Sequence, residues 1–212
     1  MAAGYYRRSC GGLITISERF PELQDDRLAL LRHISPAITR AARILDYDAP
    51  VCPTLFLTEV KPDCQALDPY RTLAIGNWED RPVTRPLTLR QALGAASDDS
   101  LQAIFEFRTQ RFLGLFGPDD EICVELPPHA VRMLRMAEWQ GTSPVILGTD
   151  LHLTGGAAEI KDLVIEADVI RGRIQTAWQY PVIVTAGFPQ EGGVAVRTAT
   201  VPIGGGMFEI LL

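Results

Sequence analysis

The sequence is poor in the residues from which catalytic and metal sites are most often built. It holds three histidines and four cysteines in 212 residues. The cysteines stand at 10, 52, 64 and 123, none in a Cys-x-x-Cys pair, and His129 is too isolated to complete a zinc quartet. Neither a metal nor a cofactor is expected, and the thiols read as small buried hydrophobes, although a Cys52–Cys64 bridge is allowed in an oxidising setting. No Gly-x-Ser-x-Gly elbow is present. Gly204-Gly205-Gly206 precedes an expected strand, so no helix N-terminus is offered to a phosphate, and Gly155-Gly156 lacks the Lys-Ser/Thr of a P-loop.

A concentrated basic stretch is missing too. The net charge is −6 and the arginines are scattered, with Arg7-Arg8 the closest basic run. A protein that grips phosphate backbones needs a basic stripe, so nucleic acid is not an expected partner. No apolar run approaches the ~18–20 residues that span a bilayer, so no membrane partner is expected either. Arg7-Arg8 is followed only by Leu13-Ile14-Thr15-Ile16, too short for a signal segment. The expectation is an untargeted, cytoplasmic chain.

What is there suits a conventional core: 47% of residues are hydrophobic and 22% charged. No repeat or linker divides the chain, so one domain over 1–212 is expected. It has a helical hairpin region (1–53), a mixed region (54–143) and a strand-dense region (144–212). Strands and helices do not alternate as βαβ units, which points to an α+β fold. Its helical N-terminal half would be interleaved with short strands, and its last third would form an antiparallel or mixed sheet.

In order, Gly12–Ser17 reads as a strand. Leu23, Leu28, Leu31 and Ile34 form the apolar stripe of a first helix, beside which His33 reads as structural. Ser35-Pro36 would start a second helix through Ile38, Ala41, Ala42 and Leu45. Thr54–Val60 and Arg71–Trp78 are strands, 79–86 a connection, and Thr88 caps a short helix over 89–96. The segment 101–116 fits both periods, and the aspartates ahead of it tip the reading towards helix. Glu121–Leu126 is a strand, and Pro127-Pro128 opens a helix through Val131, Leu134, Met136 and Trp139, closed by Gly141. Then follow strands at 145–147 and 151–153, across 157–170 by β-branched content, and at 173–180, 182–186, 194–201 and 207–212. A hairpin is expected at Gly192-Gly193, and Pro181 and Pro202 are placed at strand ends.

One constellation offers chemistry. On a strand, Asp150 and His152 would share a face about 7 Å apart. There they could orient an imidazole or supply two ligands, with His129 or Glu138 as a third. Simple alternation with Leu151 and Leu153 accounts for the same pattern. Trp78, Trp139 and Trp178 with Tyr180 read as buried aromatics, stacking on a ligand being their other use. The end of the sequence, Met207, Phe208, Ile210, Leu211 and Leu212, is apolar and needs burial in the core or against a neighbour. The expected function is therefore a non-enzymatic structural subunit of a larger assembly, such as a virion or multiprotein-complex component. Its ends, Tyr5 and Tyr6 with Met207–Leu212, would be held by other protein subunits in a homo- or hetero-oligomer. The alternative is a small-molecule enzyme or ligand-binding domain built on Asp150 and His152, with His129.

Overall fold

The computed structural model describes residues 22–36, 40–50, 52–93 and 100–212. The expected strand at 12–17, Tyr5 and Tyr6, Cys10 and Ile38 lie outside these residues. Strands dominate what is described. Helix α1 (Asp25–Leu31) is followed by β1 (Arg43–Ile44), β2 (Leu55–Val60), β3 (Tyr70–Gly76) and β4 (Val83–Thr88). Helix α2 (Leu89–Leu93) leads to β5 (Leu101–Glu106), β6 (Arg111–Phe116), β7 (Glu121–Leu126), β8 (Val131–Trp139) and β9 (Val145–Thr149). The chain continues through β10 (Ile160–Ile165), β11 (Val169–Ile174), β12 (Val182–Gln190), β13 (Gly193–Val201) and β14 (Gly206–Leu211).

Every strand pairing is antiparallel. A six-stranded sheet runs in the order β1-β2-β3-β8-β5-β6, with two three-stranded sheets, β13-β12-β9 and β10-β11-β14, and the hairpin β4-β7. Period-two alternation gives the large sheet two apolar faces. Leu57, Leu73, Ile75, Ile104, Leu134 and Met136 point one way, onto the β4–β7 hairpin and α2. Phe56, Ala74, Phe105, Met133, Ala137 and Trp139 point the other way, towards β9 and the C-terminal sheets. The molecule is thus a β-sandwich whose middle layer is buried on both sides.

That double burial overturns the α+β reading with its helical N-terminal half: the described residues are 50% strand and 8% helical. Residues 101–116 are the hairpin β5–β6, not a helix. Residues 131–139 are β8, which pairs with β3 on one side and β5 on the other. Leu, Met, Arg and Ala favour helices in isolation, but pairing on both edges and packing on both faces override that preference. The helical hairpin survives only as α1. Ala41 and Ala42 lie in no element, and Arg43–Ile44 pairs with β2. The Asp46 carboxylate holds this turn by accepting from Thr54 N (2.9 Å), Leu55 N (2.9 Å) and Thr54 Oγ1 (2.6 Å). The connection at 79–86 contains most of β4, and 157–170 is the beginning of a hairpin, β10–β11, turned by Glu166 N to Val169 O (2.9 Å).

Other expectations agree with the structure. Thr88 and Gln91 form a reciprocal capping box at α2, Gln91 N to Thr88 Oγ1 (3.2 Å) and Thr88 N to Gln91 Oε1 (2.9 Å). The β12–β13 hairpin turns at Glu191-Gly192, with Gly192 at φ +78°.

Candidate functional site

The most polar part of the interior lies where the large sheet meets the β9–β10 connection, residues 150–159. Alternation along β8 sends Arg135 to the face that Met133 and Ala137 share, so a cation is carried into the core at 4% exposure. Its Nη1 donates to Ile146 O and, at 3.2 Å, to Leu147 O, and its guanidinium lies 3.8 Å over the Tyr70 ring. Carbonyl dipoles and an aromatic face thereby replace part of the water it has lost. Tyr70 in turn donates to Thr154 O at 2.6 Å. Burial pushes the Tyr70 hydroxyl up to about 12, which keeps it a donor.

The 150–159 connection wraps around this pair. Gly155 (φ +71°) is required there, because a Cβ would stand 3.0 Å from Arg135 Cδ. Glu159, 3% exposed, accepts from the Thr149 hydroxyl, while its Oε2 has no hydrogen-bond partner. Burial pushes its carboxyl up, against the pull of the Thr149 hydroxyl and nearby backbone amides.

Two histidines pin the outside of this loop. His152 is 1% exposed. Its Nε2 lies 2.9 Å from Pro36 O, a group that can only accept, so Nε2 carries the proton and Nδ1 accepts from Thr154 Oγ1 (2.8 Å). His33 Nδ1 donates to Leu151 O at 2.8 Å, its ring stands edge-on to Phe107 at 5.1 Å, and Leu153 N returns a bond to His33 O at 2.9 Å. Burial lowers the His33 imidazole to about 4, with the charges of Arg32 and Arg108 acting in the same direction.

The sequence-predicted residues are thus placed, but not as a strand face. β9 ends at Thr149, and residues 151–153 form no strand. Asp150 accepts from Ile183 N at 2.8 Å and braces β12, and burial raises its carboxyl. His129 stands elsewhere, exposed in the β7–β8 turn, with Nε2 2.8 Å from Asp80 Oδ1. Among the described residues, no three His, Cys, Asp or Glu side chains gather as metal ligands. Cys52, Cys64 and Cys123 are free thiols; Cys64 is buried as expected, whereas Cys123 is exposed. Sequence reasoning missed Arg135, Tyr70 and Glu159; Arg135 and Glu159 carry the signal of a charge among apolar neighbours, whereas Tyr70, between Pro69 and Arg71, carries none.

Two clefts flank the His152–Pro36 contact. One, of about 580 Å³, is lined by Leu151, Lys161, Gln175, Thr176 and Trp178. The other, of about 260 Å³, is lined by Arg40, Thr58, Glu59, Lys61 and Asp63. Pro36, His152 and Ala158 border both. In the β10-β11-β14 sheet, β14 pairs among the described residues with β11 alone. Phe208 and Ile210 enter the core, whereas Met207, Leu211 and Leu212 are 67%, 57% and 53% exposed.

No family model matches the chain, and no curated protein matches it. Solved structures do share its fold. A protein of Bacillus halodurans C-125 named as an alpha-N-acetylgalactosaminidase superposes with a TM-score of 0.50 at 15% identity, over 64% of this chain and 30% of its own. Alpha-galactosidase I from Mortierella vinacea gives a TM-score of 0.48 at 12% identity, over 64% of this chain and 34% of its own. The isomalto-dextranase of Arthrobacter globiformis T6, complexed with panose, gives 0.46 at 12% identity, over 99% of this chain and 44% of its own. The first likeness defines a shared fold and nothing more, and the other two are too distant to add to it. The chain corresponds to under half the length of each of these proteins.

Proposed function

We propose that this chain is a non-enzymatic β-sandwich module of a larger protein assembly, and that it meets a partner protein through the outer face of β10-β11-β14. The observation that carries this reading is the chemistry of that face. Strand alternation turns Met207 and Leu211 of β14 outward, Leu212 is exposed just beyond the strand, and Val164 of β10, itself 50% exposed, lies on the same face across Arg171 of β11. Arg171 pairs there with Glu209 (2.5 Å) and Glu166 (3.5 Å), and Arg173 with Asp162 (2.7 Å). Exposed apolar side chains interspersed with ion pairs suit a protein contact, and β14, paired among the described residues with β11 alone, adds a row of backbone groups for a neighbour. The interior polar groups, by contrast, hold loops together. The Bacillus glycosidase-named chain carries a similar fold within a much longer chain, which fits a module that works beside other domains.

The net charge of −6 argues against nucleic acid as the partner. No helix among the described residues is long and apolar enough to cross a membrane. Free Cys52, Cys64 and Cys123 fit a reducing compartment such as the cytoplasm.

Sedimentation of the purified chain tests the reading. Concentration-dependent association, or solubility that depends on a partner domain, is expected, and Met207→Glu with Leu211→Glu should abolish it without lowering Tm. A fully soluble monomer of 23.3 kDa whose behaviour the two substitutions leave unchanged would sink the proposal.

A further inference from the structure

A second surface carries chemistry of a different kind. The walls of the two clefts at Pro36–His152 are polar, yet their charges are cancelled in place. Lys161 Nζ holds Asp63 Oδ2 at 2.9 Å, and Arg40 Nη1 holds Glu59 Oε2 at 3.4 Å. The Glu159 side chain turns inward to Thr149, so its carboxyl adds no charge to the wall. Among the described lining residues, this leaves Lys61 as the one further charge. Uncharged groups remain: the exposed Gln175 amide, the Thr176 hydroxyl and the half-buried indole of Trp178. Trp178 packs partly on the core, and its backbone N–H donates to Thr176 Oγ1 at 3.0 Å, which holds the turn that carries it.

An indole lining a cleft beside an amide and a hydroxyl suits a ligand with C–H faces and many hydroxyls. The volume of about 580 Å³ lies within the roughly 300–1,000 Å³ of small-molecule sites. Anions and polyanions find no unpaired cationic cluster. An extended peptide finds the path interrupted where His152 bonds Pro36 O. We propose that the Trp178–Gln175 cleft binds a neutral saccharide, stacked on the Trp178 ring and hydrogen-bonded by Gln175 and Thr176. The cleft borders the β10-β11-β14 face at Lys161, but its ligand would rest on Trp178 and Gln175 and not on Met207 or Leu211, so either proposal can fail without the other.

The test uses the full chain, with D-glucose, D-galactose, N-acetyl-D-galactosamine and isomaltotriose as probes. Binding is followed by saturation-transfer NMR and calorimetry, and circular dichroism checks the fold of each variant. At least one probe should bind saturably, with an affinity unchanged between low and high NaCl, as a neutral ligand requires. Trp178→Ala should abolish binding, and Gln175→Ala should weaken it about three- to tenfold, the loss of one hydrogen bond. Both residues lie in the β11–β12 loop, outside every strand. Absence of saturable binding by all four probes overturns the proposal. So does binding that survives in folded Trp178→Ala, or that falls as salt rises.

Discussion

The buried ionisable side chains set how this protein responds to pH. His33 has a folded value near 4 against 6.5 in the unfolded chain. The folded state therefore binds fewer protons in that window, and stability is full above pH 6.5 and declines as pH falls towards 4. The complete shift would correspond to roughly 3 kcal/mol, and the partly solvated ring reduces that to about 2 kcal/mol. Chemical denaturation from pH 7 to 4.5 should show this slope, and His33→Asn should flatten it. An unchanged slope in the variant would assign the acid sensitivity to other groups. Glu159 acts with the opposite sign: its raised carboxyl favours the fold at low pH, and that contribution is lost as pH rises through its folded value.

At the scale of the element, close approach between strands leaves no room for added atoms. Gly172 of β11 faces Phe208 of β14, and a Cβ there would lie 2.7 Å from Phe208 Cζ and 3.2 Å from Leu163 Cδ1. Phe208 is 6% exposed and belongs to the core, so the ring has little space to retreat. Gly172→Ala should cost about 1–3 kcal/mol by overpacking, measured as a drop in denaturation midpoint. Phe208→Leu in the same chain should recover part of the loss, because the ring is the obstacle; no recovery would place the strain elsewhere. The strands read correctly from the sequence are those with one buried face or dense β-branching, such as β2, β7, β12 and β13. Among those misread, β5 and β8 are covered on both faces and carry helix-forming residues, so their alternation is filled in and their period hidden; β6 falls within the same helical reading, and most of β4 within the proline-bracketed connection at 79–86.

For the whole molecule, the Arg135–Tyr70–Thr154 chain ties the middle sheet to the C-terminal third. Tyr70 and Thr154 are 84 residues apart in sequence and share one bond. The chain should therefore unfold in one transition, seen alike by Trp fluorescence and by far-UV circular dichroism. Tyr70→Phe should lower its midpoint by about 1–2 kcal/mol without splitting it, since Thr154 O would be left unpaired in the interior. Two separated transitions would show that the layers are independent folding units.

The sequence by itself determined the strand-dense last third, the β12–β13 hairpin and the α2 cap. These follow from local chemistry: period-two alternation, Gly at a positive-φ turn and a Thr–Gln pair three residues apart. It also singled out His152, but not its role. That role depends on Pro36, 116 residues away, and on His33, whose bond to Leu151 spans 118. The tertiary structure alone decided that β5 and β8 are strands, that Arg135 is a core residue, and that Phe208 and Ile210 turn inward while Met207 and Leu211 turn out. Each of these is settled by what lies across the layer, and neighbours that distant leave no periodic trace in the sequence.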